Sequence, residues 1–142
     1  MSKIKQGIFQ ISSIEIKKFN FEQNPEIKKD DIDEIKCVNT IGAAAQKKDD
    51  TVNDNFLVQL DLNIKANSKD KNIYHISTTI LSLIAFETKD EQNKILLNNA
   101  VAIMFSYLRP MIAQITMLSG FPPYHLQPVS FEEFEVKIIN EK

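Results

Sequence analysis

From Ile95 to Phe131 the only formally charged residue is Arg109. Within that stretch Leu108, Met111, Ile112, Ile115 and Leu118 recur at helical spacing and form one stripe. The opposite side carries Pro110, Ala113, Gln114 and Met117, where a surface helix would show charges. A helix apolar nearly all round must be covered nearly all round. A chain of 142 residues builds few layers. One sheet covers one side of such a helix, so a second copy of the chain is expected on the other. Leu108, Met111, Ile112, Ile115, Met117 and Leu118 are the candidate interface residues. A central helix in a larger single-chain core is the alternative. Pro110 falls early if Ser106 caps the helix, and bends it if the helix starts near Asn99. Gly120 is expected to end it, and Pro122 and Pro123 prevent its resumption.

The rest of the chain reads as strands. Phe56, Val58, Leu60, Leu62 and Ile64 alternate with Gln59, Asp61, Asn63 and Lys65, with Leu57 out of step. That is an antiparallel strand with one wet face. The polar run 67–71 is a turn, and 72–86 returns as the second arm of a hairpin. Its LSLIAF end is apolar on both faces and is expected to be covered on both. Residues 6–22 carry the pairs Phe9/Ile11, Ile14/Ile16 and Phe19/Phe21, which share a face within each pair but flip between pairs. Bulges, or cover on both faces, would resolve this. Residues 23–34 read as a solvated connection with Pro25. In 35–45, Ile35, Cys37, Ile41 and Ala43 are in phase for a weaker strand, and 46–54 reads as a loop. Residues 87–94 form a charged turn or helix start. After an extended segment at 121–130, Ser130 and Glu133 resemble a capping box. A short helix over 131–139 would turn Phe131, Phe134 and Ile138 inward.

Composition narrows the chemistry. Net charge is −2, from 17 basic and 19 acidic side chains, which argues against a broad basic nucleic-acid face. With 3 glycines the chain is poor material for glycine-rich phosphate loops. One cysteine, Cys37, and 2 histidines do not make a structural zinc site or an internal disulfide. The N-terminus lacks a signal-peptide core, and the longest unbroken apolar run is AVAIMF at 100–105, so a cytoplasmic chain is expected. Cys37 has no adjacent base in sequence, and only folding could pair it with His125. His75 sits on the wet face of its strand. Glu132, Glu133 and Glu135 start a helix, where carboxylates favour the dipole. No catalytic residue, metal or cofactor is expected.

The stretch YLRPMIAQITMLSGFPPYHLQPVSFEEF, 107–134, resembles the C-terminal half of the SecB family of export chaperones. The matching residues are Tyr107 and Arg109, Gly120, Phe121-Pro122, Leu126, Pro128-Val129 and Phe131, with the glycine one residue closer to Phe-Pro than the family pattern has it. FQISSI at 9–14 with Phe21-Glu22, and the strand at 53–66, resemble the family's sheet, so the likeness spans nearly the whole chain as one domain, 1–142. It implies an α+β fold: a four-stranded antiparallel sheet with a long helix and a short C-terminal helix on one face. It also implies dimers paired into a homotetramer.

The activity it implies is that of an ATP-independent, non-enzymatic holdase that binds unfolded preproteins and passes them to the SecA motor. The acidic sheet positions that dock SecA in the family align with Glu22, Lys18 and His75, so one of three keeps its acid. Some SecB-like proteins instead guard the antitoxin of a toxin–antitoxin pair, and a non-catalytic adaptor is a third reading. A holdase needs apolar grooves that accept many sequences, and flexible or aromatic side chains suit them. Val38, Ile41, Phe121, Tyr124, Leu126, Phe131 and Phe134 are the candidate client-binding residues. Core packing is the plain alternative for several of them.

Overall fold

The structure is a computed structural model that describes residues 9–48, 54–87, 93–129 and 136–140. Its centre is the hairpin of β4, Asp54–Ser68, and β5, Lys71–Phe86. Register pairs Phe56 with Ile84, Leu60 with Ile80 and Ile64 with Ile76, so the apolar residues of both arms share one face. All six are at most 1% exposed, and each contributes roughly 1.5–3 kcal/mol by leaving water. Lys69 and Asp70 take positive φ, 50° and 65°. A two-residue turn of that hand matches the twist of the two strands. The LSLIAF end is covered on one face only among the described residues. Ile84 and Phe86 are buried, whereas Leu83 is 37% exposed on the other side.

The two phase flips of the N-terminal segment are absorbed by breaking the edge strand. β1, Phe9–Ile11, and β2, Glu15–Gln23, both pair with β5. A gap separates them, and a bulge follows between Ile16 and Lys18. Phe9, Ile11, Ile16, Phe19 and Phe21 thereby all stand opposite inward-facing β5 residues. The carbonyls displaced at these irregularities are caught by buried hydroxyls. Ser82 Oγ donates to the Ser12 carbonyl at 2.9 Å, and Thr78 Oγ1 donates to that of Lys18 at 2.9 Å.

β3, Lys36–Lys48, pairs antiparallel with β4 along its whole length. It runs on through Gln46-Lys47-Lys48, which the sequence had suggested as loop, because β4 offers a partner up to Asn55. The residues between Gln23 and β3 include a short 3-10 turn at Lys29–Asp31.

Helix α1 spans Asn93–Leu118. Leu97, Ala100, Val101, Met104, Phe105, Leu108 and Ile112 are buried in the core shared with the inner face of the sheet. Leu108 and Ile112 are therefore core residues and leave the set of candidate interface side chains. The outer stripe is Ile95, Asn99, Ile103, Ser106, Tyr107, Pro110, Gln114, Met117 and Leu118, all exposed and none charged. Ser106 does not cap the helix, which starts well before it. Pro110 is interior and leaves one intrahelical bond unmade. Ile95–Leu118 has a mean hydropathy of 1.4 and is long and apolar enough to cross a membrane by length and composition. A search for unbroken apolar runs misses it, because Asn98, Asn99, Ser106, Gln114 and Thr116 interrupt the run without adding charge. The helix ends in a Schellman motif around Gly120 at φ 89°. Phe121 N–H reaches the Thr116 carbonyl at 3.1 Å, and Gly120 N–H that of Met117 at 3.1 Å.

The C-terminal end departs most from expectation. Lys137–Asn140 forms a strand, β6, parallel to β3, with Ala45 opposite Ile138. A helix there is corrected to a strand: Val136, Ile138 and Ile139 are β-branched and suit extended pairing. Ser130, Phe131, Glu133 and Phe134 lie outside the described residues. The fold is α+β, with a six-stranded sheet in the order β1-β5-β4-β3-β6 and β2 also on β5, in place of four strands. All pairings are antiparallel except β3 with β6.

Candidate functional site

A cleft of about 330 Å³ opens where three segments meet. One wall is the connection before β3, with Lys29, Ile32, Asp33 and Ile35. The floor is Cys37 of β3 and Tyr74 of β5. The other wall is Gly120 to Tyr124, directly after α1.

Each wall is held by a few directed bonds. Asn24 N–H donates to the Ile73 carbonyl at 2.8 Å, and Asn24 Nδ2 to the Asn72 carbonyl at 2.9 Å. Lys29 Nζ donates to the Ser119 carbonyl at 2.6 Å, where the helix dipole is negative. The same ammonium lies 4.9 Å from the centre of the Phe121 ring. Lys69 pairs with Asp33 at 2.9 Å, an exposed ion pair that water screens. The opposite wall hangs from the helix. Thr116, fully buried, accepts from Tyr124 N–H at 2.8 Å through its hydroxyl oxygen. Arg109, the lone charge of the apolar stretch, donates from Nε to the Leu126 carbonyl at 2.9 Å. Proline at 122 and 123 stiffens the span between these anchors.

The cleft floor is aromatic and neutral. The Tyr74 ring lies 4.9 Å from that of Phe121 and 5.4 Å from that of Phe21. Its hydroxyl stands 3.8 Å from Cys37 Sγ. Burial pushes the Tyr74 phenol far above its ordinary value and raises the Cys37 thiol as well. Tyr124 is raised by burial too, while its hydroxyl exchanges hydrogen bonds with the Asn39 side chain at 2.8 and 3.1 Å. A thiol held protonated in this way is a poor nucleophile. His125 lines a different groove from Cys37, so the two do not line one site.

That second groove, about 630 Å³, lies between α1 and the extended segment. Ser106, Arg109, Pro110, Ala113, Gln114 and Met117 form its helix side, and Pro123, His125 and Leu126 its other side. Pro123 lines both hollows, so they adjoin across one proline ridge.

The residues singled out in the sequence are brought together only in part. Tyr124 and Phe121 line the cleft, and Leu126 lines the second groove. Phe121 and Leu126 are themselves buried, at 6% and 1% exposure, and act as walls. Ile41 shares the inner face of β3 but lies outside the cleft lining. Val38, 61% exposed, projects from the opposite face of the sheet and lies outside this cleft. The reason is phase, since Cys37 and Ile41 are in step and Val38 is not. Tyr74, Lys29 and Ile32 were missed. Tyr74 reads as one more alternating strand residue, and Ile32 is an apolar residue in a polar connection, the one signal available. Of the helix candidates, Met117 and Leu118 are exposed at 54% and 70%, while Met111 and Ile115 are half-buried. Glu22 stands opposite His75, and Lys18 opposite Thr79, on the sheet face turned away from α1.

Among the described residues no group of three or more His, Cys, Asp or Glu could hold a metal ion. What the chain presents is a class of structure: a sheet backed by one long helix, with two adjoining hollows along the extended segment that follows the helix. The family model described as Preprotein translocase subunit SecB matches residues 2–139, and the chain belongs to the SecB family. It is 31% identical over 80 residues to the protein-export protein SecB of Orientia tsutsugamushi strain Boryong, covering 55% of this chain and 50% of that one. With the SecB of Rhizobium johnstonii it shares 27% over 89 residues, covering 61% and 56%. The chain thus spans about half the length of the curated relatives it matches. Among solved structures it is similar to the SecB-like chaperone of Mycobacterium tuberculosis in complex with a peptide from the HigA1 antitoxin. The TM-score is 0.67 at 14% identity, over 87% of this chain and 89% of that one. A Streptococcus agalactiae protein of unknown function shares the fold at TM-score 0.53 and 11% identity, over 84% and 96%. Both likenesses concern the fold.

Proposed function

We propose that this chain is an ATP-independent, non-enzymatic holdase of the cytoplasm, binding apolar segments of unfolded polypeptides. The observation that carries the reading is the Tyr74–Phe121–Tyr124 cleft. Its floor is aromatic and uncharged, with Lys29 and Asp33 confined to one wall, and it adjoins a second, mostly apolar groove across Pro123. Such a surface gains free energy from many sequences, because burial of apolar area is not directional. A client side chain seated in the cleft contributes on the order of 1–3 kcal/mol, and several copies engaged by one client multiply the gain.

The repeated copies come from the outer stripe of α1. Ile103, Tyr107, Met117 and Leu118 are exposed without a charge among them, which supports a helix-to-helix interface and a homotetramer of about 65 kDa, four chains of 16.3 kDa. Membrane insertion is disfavoured, since the inner face of α1 packs in the sheet's own core and Arg109 is bonded to Leu126. Delivery to SecA would use the outer sheet face, where Glu22 is the one retained acid beside Lys18 and His75. Family membership supports export, and the antitoxin-peptide complex of a protein with this fold supports antitoxin guarding as the second reading. A non-catalytic adaptor is the reading that remains if no client binds.

The test is aggregation of a reduced, unfolded protein without nucleotide, followed by light scattering. Suppression at a fourfold molar excess of chaperone is expected, and unchanged scattering would remove the holdase reading. Capture of SecA at low salt separates export from antitoxin duty.

A further inference from the structure

We propose that β6 is a built-in competitor for the client: it occupies the end of the β3 edge that an extended client segment takes as it leaves the cleft. The inference rests on the holdase reading above. The first half of β3 already belongs to the site, giving Cys37 to the cleft floor and Asn39 to the Tyr124 hydroxyl. On the side away from β4, β3 is paired only over Ala44–Lys47, by Lys137–Asn140. Among the described residues no strand pairs with that edge from Lys36 to Ala43. An open strand edge offers N–H and C=O groups to any extended backbone, whatever its side chains. That tolerance suits a client of no fixed sequence.

β6 is a weak holder of its place. It has four residues, and its pairing is parallel, the less stable kind per residue. Ile138 reaches the core side beside Ala45, yet it is only half-buried, as is Val136. Ile139 points to the other face and is 46% exposed. A longer apolar segment entering from the cleft gains the free stretch Lys36–Ala43 first, then more ladder bonds than β6 makes. It therefore displaces β6. Until then the tethered strand competes at the high effective concentration of an intramolecular partner, and it lowers apparent affinity by the fraction of edge left free.

The experiment uses the full chain and a reduced, carboxymethylated, permanently unfolded polypeptide as probe. Ile138→Pro sets a proline inside the four-residue β6, where it disfavours strand pairing, and touches no cleft residue. The variant is expected to bind the probe at least about threefold more tightly than wild type. In wild type, saturating probe is expected to speed amide hydrogen exchange at Lys137–Asn140. Equal or weaker binding by the folded variant overturns the proposal. So does exchange at Lys137–Asn140 that probe leaves unchanged or slows, a readout that decides the matter even where the variant does not fold. Probe binding by the variant but not by wild type supports the competitor. Binding by neither removes the holdase reading, and the competitor with it.

Discussion

The β4–β5 hairpin and helix α1 are similarly rich in apolar residues, yet they use them in opposite ways. In the hairpin every second side chain turns inward and is hidden by the chain itself, from Phe56 to Ala66 and from Tyr74 to Phe86. The intervening positions are mostly polar. In α1 the inner face is hidden, but the outer face keeps Ile103, Tyr107, Met117 and Leu118 in the open without a charge. The hairpin converts its apolar content into stability of one chain. The helix leaves a strip of its apolar content uncovered by the chain's own described residues.

The largest effect that tests this contrast is in the hairpin. Leu60→Ala, at a fully buried position, should cost about 2–5 kcal/mol of unfolding free energy by chemical denaturation. Next comes the seam between helix and cleft. Thr116→Val deletes the acceptor for Tyr124 N–H and leaves that donor half-buried without it. A loss of about 1–3 kcal/mol is expected, together with faster amide exchange at Tyr124. Ile103→Lys with Met117→Lys should leave far-ultraviolet circular dichroism unchanged while sedimentation shifts to a smaller species. An unshifted mass would show that the outer stripe is not an interface. Smallest of all, Leu118→Ala, at a position 70% exposed, should change the stability of the lone chain by less than about 0.5 kcal/mol. A cost there equal to that of Leu60→Ala would erase the contrast between the two regions.

Alkaline pH probes the cleft floor. Tyr74 and Cys37 both ionise at higher pH when folded than when unfolded, because burial disfavours the anions. Above the ordinary thiol value of 9.0 the unfolded chain binds fewer protons than the folded one. Stability is therefore full below that pH and declines as pH rises through it. Tyr74→Phe should flatten the part of the decline above pH 10.0, the ordinary phenol value, measured as the denaturation midpoint against pH.

How far these elements could be read from the sequence follows from how each is covered. The hairpin was legible because one wet face forces strict alternation over a long run. The flips at Phe9/Ile11, Ile14/Ile16 and Phe19/Phe21 foretold irregularities in the edge strand, and a gap and a bulge are there. The hydroxyls of Ser82 and Thr78 that serve them were not legible, since they look like polar residues in a strand. The stripe at Leu108 and Ile112 showed helical spacing but not which side faces the sheet, so core and candidate interface residues were mixed. At the C-terminal end a capping pattern at Ser130 and Glu133 pointed to a helix. Lys137 to Asn140 instead follows the parallel partner that β3 offers, a tertiary influence no local pattern records. In the cleft, the proline segment and Tyr124 were found. Tyr74 and Lys29 were not, because a cleft joins residues from segments far apart in the chain.

The broken edge at β1 and β2 has a further consequence. A foreign strand approaching that rim would meet its partners out of step at Ser12–Ile14 and again at the bulge before Lys18. It could match one short segment at a time, never the full length. Sheet growth by endless addition of copies is thereby blocked on that side. Such an interruption keeps the rim from templating edge-to-edge aggregation of the chain itself.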